Sequence, residues 1–371
     1  MPHGRISGRR ALLTLAVLVI LPITGAAVVR AADSPIPRYA HIFIIVAENK
    51  GYEQIIGPAT RAPNIYRLAQ QYGLATEFYT EAHPSEPNYI AMLGGDTFDI
   101  HDDDAFYCKP GLHDTYCPGA NRADYVDHTV TARSLVDQLQ EKGLSWKGYM
   151  ESLPEPGSLV ARWPNADHPV AGQPNELYAA KHNGFMSFER VQKDPQRAQK
   201  IVDFKQLDRD LAAGSMPNYA HIVPNQCNDM HGRGGPNAPQ DCTNLDGLIA
   251  RGDQVIADLV QKIMASPVWK AADNTAIVIT FDENDKDERH SPHQGCCGYD
   301  PNSKANFGGG RIPTVVITNH GARKVVDGTP YNHYSLLRTT EAAFGIDEYL
   351  GHAADESRGV VTMSALFSVK P

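Results

Sequence analysis

The sequence predicts an α/β protein with a mostly parallel central sheet that helices cover on both faces. Segments typical of strands alternate with segments typical of helices from residue 41 to residue 344. The strand segments, such as IFIIVA and AIVIT, are almost continuously apolar, which is typical of parallel strands buried on both faces. Three irregular stretches, 96–130, 153–197 and 225–244, are interpreted as loop insertions into one domain.

The predicted elements follow one another as strands and helices with recognisable ends. Pro63 suits the first turn of a helix, and Gly143 suits the residue after a helix end. Leu248, Leu259 and Ile263 are apolar residues at helical spacing. The predicted strands are 41–47, 74–80, 146–152, 218–224, 276–281 and 312–318, and the predicted helices are 62–72, a short helix beginning near Ser85, 131–142, 199–213, 245–265 and 333–344.

The first 31 residues are typical of a secretory signal peptide. Basic residues precede an apolar run, and Val29 and Ala31 place small residues at positions −3 and −1 of a cleavage point. Because an apolar run of roughly 19 residues is long enough to span a membrane, an uncleaved anchor is the alternative. Arg9-Arg10 resembles a twin-arginine signal. We expect secretion or a periplasmic location, a linker at 32–39 and a single domain at 40–371.

The charge balance argues against nucleic-acid binding. The chain carries 34 Lys and Arg against 43 Asp and Glu, a net charge of −9. Removal of the four arginines in residues 1–31 leaves 30 basic against 43 acidic side chains, a net charge of −13. Since phosphate groups repel an acidic surface, a phosphorylated substrate would need positive charge from a metal or a small basic pocket.

The six cysteines of the predicted mature chain indicate disulfides, because an even number in an exported protein is typical of them. Six cysteines allow 15 connectivities, and the sequence does not choose among them. Pairing of neighbours would join 108 to 117, 227 to 242 and 296 to 297. Zinc–thiolate binding is the less favoured alternative, because no C-x-x-C spacing occurs.

Polar side chains follow two of the predicted strands directly. Glu48 and Asn49 end the strand at 41–47, and Asp282 and Glu283 end the strand at 276–281. Ligands bind at the carboxyl ends of strands in open parallel sheets. Clustered hard oxygen ligands favour a divalent cation, so the sequence predicts one or more such ions here.

Ser85 precedes a short helical segment that ends at Gly94-Gly95, and this position allows two interpretations. As an N-cap residue, Ser85 would only stabilise the first turn of the helix. Beside a metal ion and a phosphate bound at the helix N-terminus, it would be a nucleophile.

Further polar residues follow other predicted strand ends. Asn225, Asp229 and His231 follow the strand at 218–224, a pattern compatible with metal binding, phosphate binding or acid–base work. A surface loop held by a disulfide is the alternative. His293 follows the acidic cluster, and His333 begins the last predicted helix. Solvated or capping roles are the alternatives for these two histidines.

These motifs together resemble the bacterial phosphoesterase family that contains phospholipases C and secreted acid phosphatases. The resemblance covers residues 40–346 and consists of motifs in the family's order. They are IIVAENKGYEQIIG, HPSEPNY, CNDMHG, ITFDEND, IPTVVIT and HYSLLRTTEAAFG. The stretch ENKGYE replaces the ENRSFD of the larger phospholipases C, and the chain ends soon after the last helix, so the shorter acid phosphatases are the better match.

The resemblance implies a three-layer α/β/α sandwich of the alkaline-phosphatase-like superfamily and a set of site residues. Glu48, Asn49, Asp282 and Glu283 would bind metal, and Ser85 would be the metal-bound nucleophile. His83, Asp229, His231 and His293 would surround the phosphate and supply protons, with His231 and His293 as catalytic residues. Asn225 and His333 complete the predicted substrate-binding set.

The predicted function is a secreted metal-dependent acid phosphatase that hydrolyses phosphate monoesters through a phosphoserine. Its substrate would be a small phosphorylated molecule or a phosphoinositide head group, with no nucleic-acid partner. A phospholipase C acting on phosphodiesters is the first alternative. A non-catalytic secreted metal-binding protein is the second.

Overall fold

The computed structural model describes Met1 and residues 36–285, 294–298, 302–304 and 306–369. The predicted signal peptide, apart from Met1, and His293 lie outside the described residues. The described residues from 36 onward belong to one structural unit, Asp33–Pro371. Within the described ranges, no helix has the length and apolar character needed to cross a membrane.

The largest feature of the structure is a sheet in which eight of the described strands are hydrogen bonded side by side. The strands are β1 His41–Ala47, β2 Gly73–Tyr79, β3 Ala82–His83, β4 Trp146–Met150, β5 Arg162–Trp163, β6 Tyr178–Ala179, β7 Ile201–Val202, β8 Tyr219–Val223, β9 Thr275–Phe281, β10 Asn306–Phe307, β11 Arg311–Thr318 and β12 Val325–Asp327. The order across the main sheet is β12-β2-β11-β9-β1-β8-β4-β7, and β3 pairs with β10 and β5 with β6 in two small ladders.

Helices connect most of the strands of this sheet. They are α1 Tyr52–Ile55, α2 Pro63–Gln71, α3 Ser85–Gly94, α4 Leu135–Glu141, α5 Glu189–Gln192, α6 Pro195–Ala198, α7 Phe204–Ala213, α8 Leu245–Ala265, α9 Pro267–Lys270 and α10 His333–Ala343. Every residue of β9, and every residue of β1 except His41, is buried. Because successive side chains point to opposite faces of a sheet, both faces are covered, as predicted.

The central strands are parallel, which confirms the predicted mostly parallel sheet. β1 runs parallel to its two neighbours β8 and β9, and β8 runs parallel to β4. β11 is the exception, since it is antiparallel to both β9 and β2. The described residues between β9 and β11 contain the short strand β10 and no helix. An antiparallel neighbour needs no crossover helix, which accounts for the reversal.

Two predicted helices begin later than expected. The helix predicted at 199–213 begins at Phe204, because Ile201 and Val202 form β7 beside β4 and Asp203 caps the helix start. The helix predicted at 131–142 begins at Leu135, after the N-cap residue Ser134. β-Branched residues and capping side chains decide both boundaries.

Three disulfides hold the loops between these elements. They join neighbours in the sequence, namely Cys108–Cys117, Cys227–Cys242 and Cys296–Cys297. The first lies within the insertion at 96–130, and the second closes the loop that follows β8. Of the connectivities left open by the sequence, the structure therefore contains the pairing of neighbours.

Candidate active site

Three buried carboxylates meet at the carboxyl ends of β1, β8 and β9. Ala47 and Phe281 are partners in the register of β1 and β9, so Glu48 and Asp282 follow side by side. The Asp282 amide donates to the Ala47 carbonyl at 3.1 Å, and the Glu48 amide donates to the Asp229 carbonyl at 2.7 Å. Glu48, Asp229 and Asp282 are each 0% exposed. The structure thus brings together the two strand ends that the sequence predicts to converge.

Asn49 and Glu283 extend this cluster toward solvent. Asn49 has a φ of 44°, a left-handed conformation that asparagine tolerates better than most residues. Its amide N–H donates to Asp282 Oδ1 at 3.0 Å, and its Nδ2 donates to Glu283 Oε1 at 2.6 Å. Asn49 therefore joins the two carboxylates that follow β9.

Ser85 is the first residue of α3, and its hydroxyl group points at the cluster. The N-cap residue of α3 is Pro84, so Ser85 does not cap the helix as one interpretation of the sequence expected. Its Oγ lies 3.2 Å from both Glu48 Oε2 and Glu283 Oε1, so its single hydrogen can be donated to either carboxylate. The helix N-terminus adds positive partial charge next to this hydroxyl group.

His83 lies on the opposite side of Glu283 from Ser85. Its Nδ1 is hydrogen bonded to Glu283 Oε2, while Glu283 Oε1 accepts from Ser85 and Asn49. Burial raises the pKa of Glu283 to about 7, although His83 opposes the effect. One carboxylate therefore connects the Ser85 hydroxyl group to the imidazole ring of His83.

An open cleft of about 360 Å³ lies above these residues. Its walls combine a hydroxyl group, imidazoles, carboxylates and ammonium groups. They include His83, Ser85, Asp103, Lys181, His231 and Glu283. The volume suits a small ligand, and the polar walls suit a charged one.

His182 joins the cluster from the insertion at 153–197, where the sequence analysis predicted no site residue. It ends a turn of 3-10 helix, Ala180–His182, and its ring stacks on Tyr89 with centroids 5.5 Å apart. Glu48, His182 and His231 each offer one ligand atom, and these atoms lie within 4.8 Å of one another. Apart from the general richness of 153–197 in Pro, Asn and His, no spacing in the sequence signals this histidine.

The electrostatics of the cluster favour a positive charge at its centre. Burial, followed by Asp282 and Asp229, raises the pKa of Glu48 well above its usual value. Burial also raises the pKa values of Asp229 and Asp282. Three desolvated carboxylates at one place repel one another unless a proton or a cation is shared among them.

Two histidines beside the carboxylates, His182 and His231, have lowered pKa values, which favours their neutral form. Burial and then Lys181 lower the pKa of His182 well below its usual value. The same two causes lower the pKa of His231 to about 4. The His231 Nδ1 donates to the Gly232 carbonyl at 2.9 Å, so in the neutral ring Nε2 carries a lone pair. A neutral imidazole is the form that binds metal ions, and the His231 Nε2 also lies 3.5 Å from the Lys181 ammonium nitrogen.

Several buried polar atoms of the cluster fit a divalent cation. Among the residues that the structure describes, Asn49 Oδ1, His182 Nε2, Asp229 Oδ2 and Asp282 Oδ2 are buried and have no hydrogen-bond partner. Buried polar atoms are nearly always paired, so four such atoms around one cluster indicate a ligand. Oxygen and imidazole nitrogen donors are what divalent metals bind in proteins. Both oxygens of Glu283, by contrast, accept hydrogen bonds.

Two residues of the predicted substrate-binding set lie elsewhere. His333 is 0% exposed, and its ring nitrogens contact Glu81 Oε2 at 2.7 Å and the Phe281 carbonyl at 2.9 Å. The Asn225 side chain donates to Ser152 Oγ at 3.1 Å and accepts from the amide of Cys227. Both side chains hold strand ends in place and do not line the cleft, so substrate contact by them is not proposed.

The chain is similar to known phosphatases over most of its length. The sequence model of the phosphoesterase family matches residues 58–347. A phosphatidylinositol-3-phosphatase of Mycobacterium tuberculosis is 29% identical over 315 residues, covering 85% of this chain and 80% of the relative. A probable acid phosphatase of Kluyveromyces lactis is 26% identical, and the match covers 85% of this chain but only 61% of that longer protein.

The fold also has counterparts among solved structures. A protein of the alkaline phosphatase superfamily from Vibrio parahaemolyticus superposes with a TM-score of 0.52 at 13% identity. The superposition covers 85% of this chain and 70% of that one. The similarity concerns the fold, and it confirms the α/β/α architecture that the motif resemblance implies.

Proposed function

Because the chain belongs to the phosphoesterase family, we propose that it is a metal-dependent phosphatase that hydrolyses phosphate monoesters through a phosphoserine on Ser85. The position of the Ser85 hydroxyl group carries the proposal. It lies at a helix N-terminus, opens into the cleft and is within hydrogen-bond distance of two carboxylates of the cluster. A merely structural ion would need no such hydroxyl group.

The proposed metal site differs in part from the one the sequence predicts. Glu48, Asn49 and Asp282 remain in it beside the Ser85 hydroxyl group. His182, Asp229 and His231 are added. His182 Nε2 and Asp229 Oδ2 are buried without a hydrogen-bond partner among the described residues. His182 and His231 each offer a ligand atom within 4.8 Å of one from Glu48. A bound divalent cation would lower the pKa of a neighbouring hydroxyl group and balance charge on phosphate oxygens.

The chain's own residues provide a path for the Ser85 proton. As Ser85 Oγ forms its bond to phosphorus, the proton passes to Glu283 Oε1 or Glu48 Oε2, each 3.2 Å away. The bond between phosphorus and the ester oxygen breaks, and the alcohol takes up a proton. Water then hydrolyses the phosphoserine and regenerates the hydroxyl group.

His83 is proposed as the residue that donates a proton to the leaving alcohol, while the Ser85 proton stays on the carboxylate that accepted it. His83 lines the cleft two residues before Ser85 and is bonded to Glu283. His231 is not proposed for this role, because burial and Lys181 lower its pKa to about 4 and leave the ring neutral above that pH. The predicted role of His293 stays a prediction, since this residue lies outside the described part of the chain.

The proposed setting is outside the cytoplasm. The first 31 residues resemble a signal peptide, and three disulfides are typical of oxidising compartments. Phosphoinositide head groups belong in the substrate panel, because the M. tuberculosis relative carries the name of a phosphoinositide phosphatase.

The test is phosphate release by purified protein from a panel of monoesters across pH, paired with elemental analysis. The panel contains p-nitrophenyl phosphate, a phosphoinositide head group and, for the phosphodiester alternative, a choline-phosphate diester. We expect metal-dependent release from the monoesters. Preference for the diester would favour a phosphodiesterase over the proposed monoesterase. Phosphate release that survives removal of every divalent cation would overturn the metal dependence.

A further inference from the structure

Lys181 is a partly buried cation in the wall of the cleft, and the proposed mechanism does not use it. Its side chain is 10% exposed and lines the same cleft as Ser85 and His83. It precedes His182 in the 3-10 turn, and both side chains approach His231. His182 packs on Tyr89 beneath the cleft, whereas the Lys181 ammonium group lies at the cleft wall.

Asp103 ties Lys181 to the helix that carries Ser85. Asp103 Oδ2 accepts from Lys181 Nζ at 2.8 Å, and Asp103 Oδ1 accepts from the backbone N–H of Glu86 at 3.1 Å. Glu86 is the second residue of α3 and directly follows Ser85. One carboxylate thereby fixes the ammonium group next to the first turn of α3.

The loop that carries Asp103 is itself held firmly. Asp102 Oδ1 lies 3.0 Å from the ring of His128, whose other nitrogen lies 3.1 Å from Glu86 Oε2. Asp104 Oδ2 accepts from the Gly119 amide and the Tyr125 hydroxyl group, each at 2.9 Å. Residues on both sides of Asp103 are therefore anchored, which restricts the position of Lys181.

The ammonium group retains a donor for a ligand. Of its three N–H bonds, one serves Asp103 Oδ2, and His231 Nε2 lies 3.5 Å from the nitrogen. The contacts among the described residues therefore leave at least one N–H for a ligand in the cleft. The surrounding carboxylates would repel a phosphate dianion, so a fixed cation there has a clear electrostatic use.

We propose that the Lys181 ammonium group binds an oxygen of the substrate's phosphate group and that Asp103 positions it for this contact. The inference rests on the proposed phosphatase function, and it adds a phosphate-binding residue from the insertion at 153–197. Lys181 would touch substrate, whereas Asp103 acts through Lys181 and is a positioning residue.

Binding of inorganic phosphate to the metal-loaded protein tests this inference without turnover. Calorimetric titration compares the wild type with K181M, K181R, D103N and the matched control K262M. Lys262 pairs with Asp208 on the surface, with both side chains more than half exposed. Loss of one charge-assisted hydrogen bond weakens binding by about tenfold to a hundredfold, which we expect for K181M.

The other variants distinguish the effect of losing the positive charge from the effect of misfolding. K262M should bind phosphate like the wild type, and K181R should retain part of the affinity because it keeps the charge. The phosphate affinity of D103N should lie between those of the wild type and K181M. This variant keeps an acceptor for the Glu86 amide but loses the charge that holds Lys181. If K181M folds poorly by circular dichroism, K181Q replaces it as the variant without charge.

Three results would overturn the inference. They are phosphate affinity in K181M or K181Q equal to that of the wild type, absence of phosphate binding by the wild type, and loss of metal from both K181M and K181R. The last would mean that the lysine acts through the metal site. Failure of the proposed function looks different: S85A would keep its turnover, while phosphate binding would still depend on Lys181.

Discussion

The Ser85 hydroxyl group donates to one oxygen of Glu48 at 3.2 Å, while the Tyr89 hydroxyl group donates to the other at 2.5 Å. Ser85 and Tyr89 lie four residues apart on α3 and therefore on one face of the helix. The helix that carries the proposed nucleophile thus also fixes a carboxylate of the proposed metal site. Ser85 and this carboxylate are held as one rigid arrangement.

S85A should abolish phosphate release while the protein keeps its metal. Removal of the nucleophile leaves no group to accept the phosphoryl group, so kcat should fall by at least about a thousandfold. Metal content should stay at the wild-type level, because the other donors remain. The control is S266A, which removes a buried serine hydroxyl group bonded to the Ile263 carbonyl. Substantial turnover by S85A would remove Ser85 from the nucleophile role.

D282N should lose metal and activity together. The substitution keeps the size of the side chain but removes the charge of a fully buried carboxylate whose Oδ2 has no hydrogen-bond partner within the described ranges. We expect kcat/KM to fall by about a hundredfold or more, with a parallel loss in elemental analysis. D253N is the matched control, because Asp253 is also buried but binds the amides of Asn64 and Ile65. A fully metallated D282N variant would contradict the ligand assignment.

The residues that sequence reasoning found all follow strand ends or begin a helix. Glu48 and Asp282 are predictable as neighbours because apolar runs identify the strands and parallel strands end at one edge. Ser85 is predictable because a polar residue before a helical run is a local pattern. In each case the signal lies within a few residues of the site residue.

The site residues that were not predicted from the sequence come from an insertion without periodicity. Lys181 reaches the cleft, and His182 reaches the carboxylates beneath it, because β5 and β6 pair and the following 3-10 turn packs against α3. These contacts depend on tertiary packing, which no local spacing encodes. The antiparallel direction of β11 escaped prediction for the same reason, since an apolar strand has the same pattern in either direction.

H182N should lower metal content although no sequence motif contains this residue. Its Nε2 is buried beside Glu48 without a hydrogen-bond partner among the described residues, so its removal deletes a donor. We expect metal affinity to fall by about tenfold to a hundredfold in a chelator competition assay. H221N is the control, because His221 is equally buried but bonds Tyr219 instead. Equal metal affinity in H182N and H221N would exclude His182 from the site.

E341Q should remove a pH dependence of stability that is unrelated to the active site. Burial raises the pKa of Glu341 to about 8, against a partial lowering by the Leu350 amide, Gln138, Arg338 and Arg133. A raised pKa means that the folded state holds the proton more tightly. This group's stabilisation is therefore complete below the unfolded pKa of 4.5 and is lost as pH rises toward 8.

Denaturant unfolding of wild type and E341Q between pH 4.5 and pH 8.5 measures this effect. The free energy of unfolding of the wild type should fall across this range by on the order of a few kcal/mol more than that of E341Q, whose neutral amide does not titrate. E348Q is the matched control, since it removes the same charge from a side chain that is 84% exposed. Equal slopes in wild type and E341Q would mean that Glu341 is ionised in the folded protein, held by Arg338 and Arg133 against the cost of its burial.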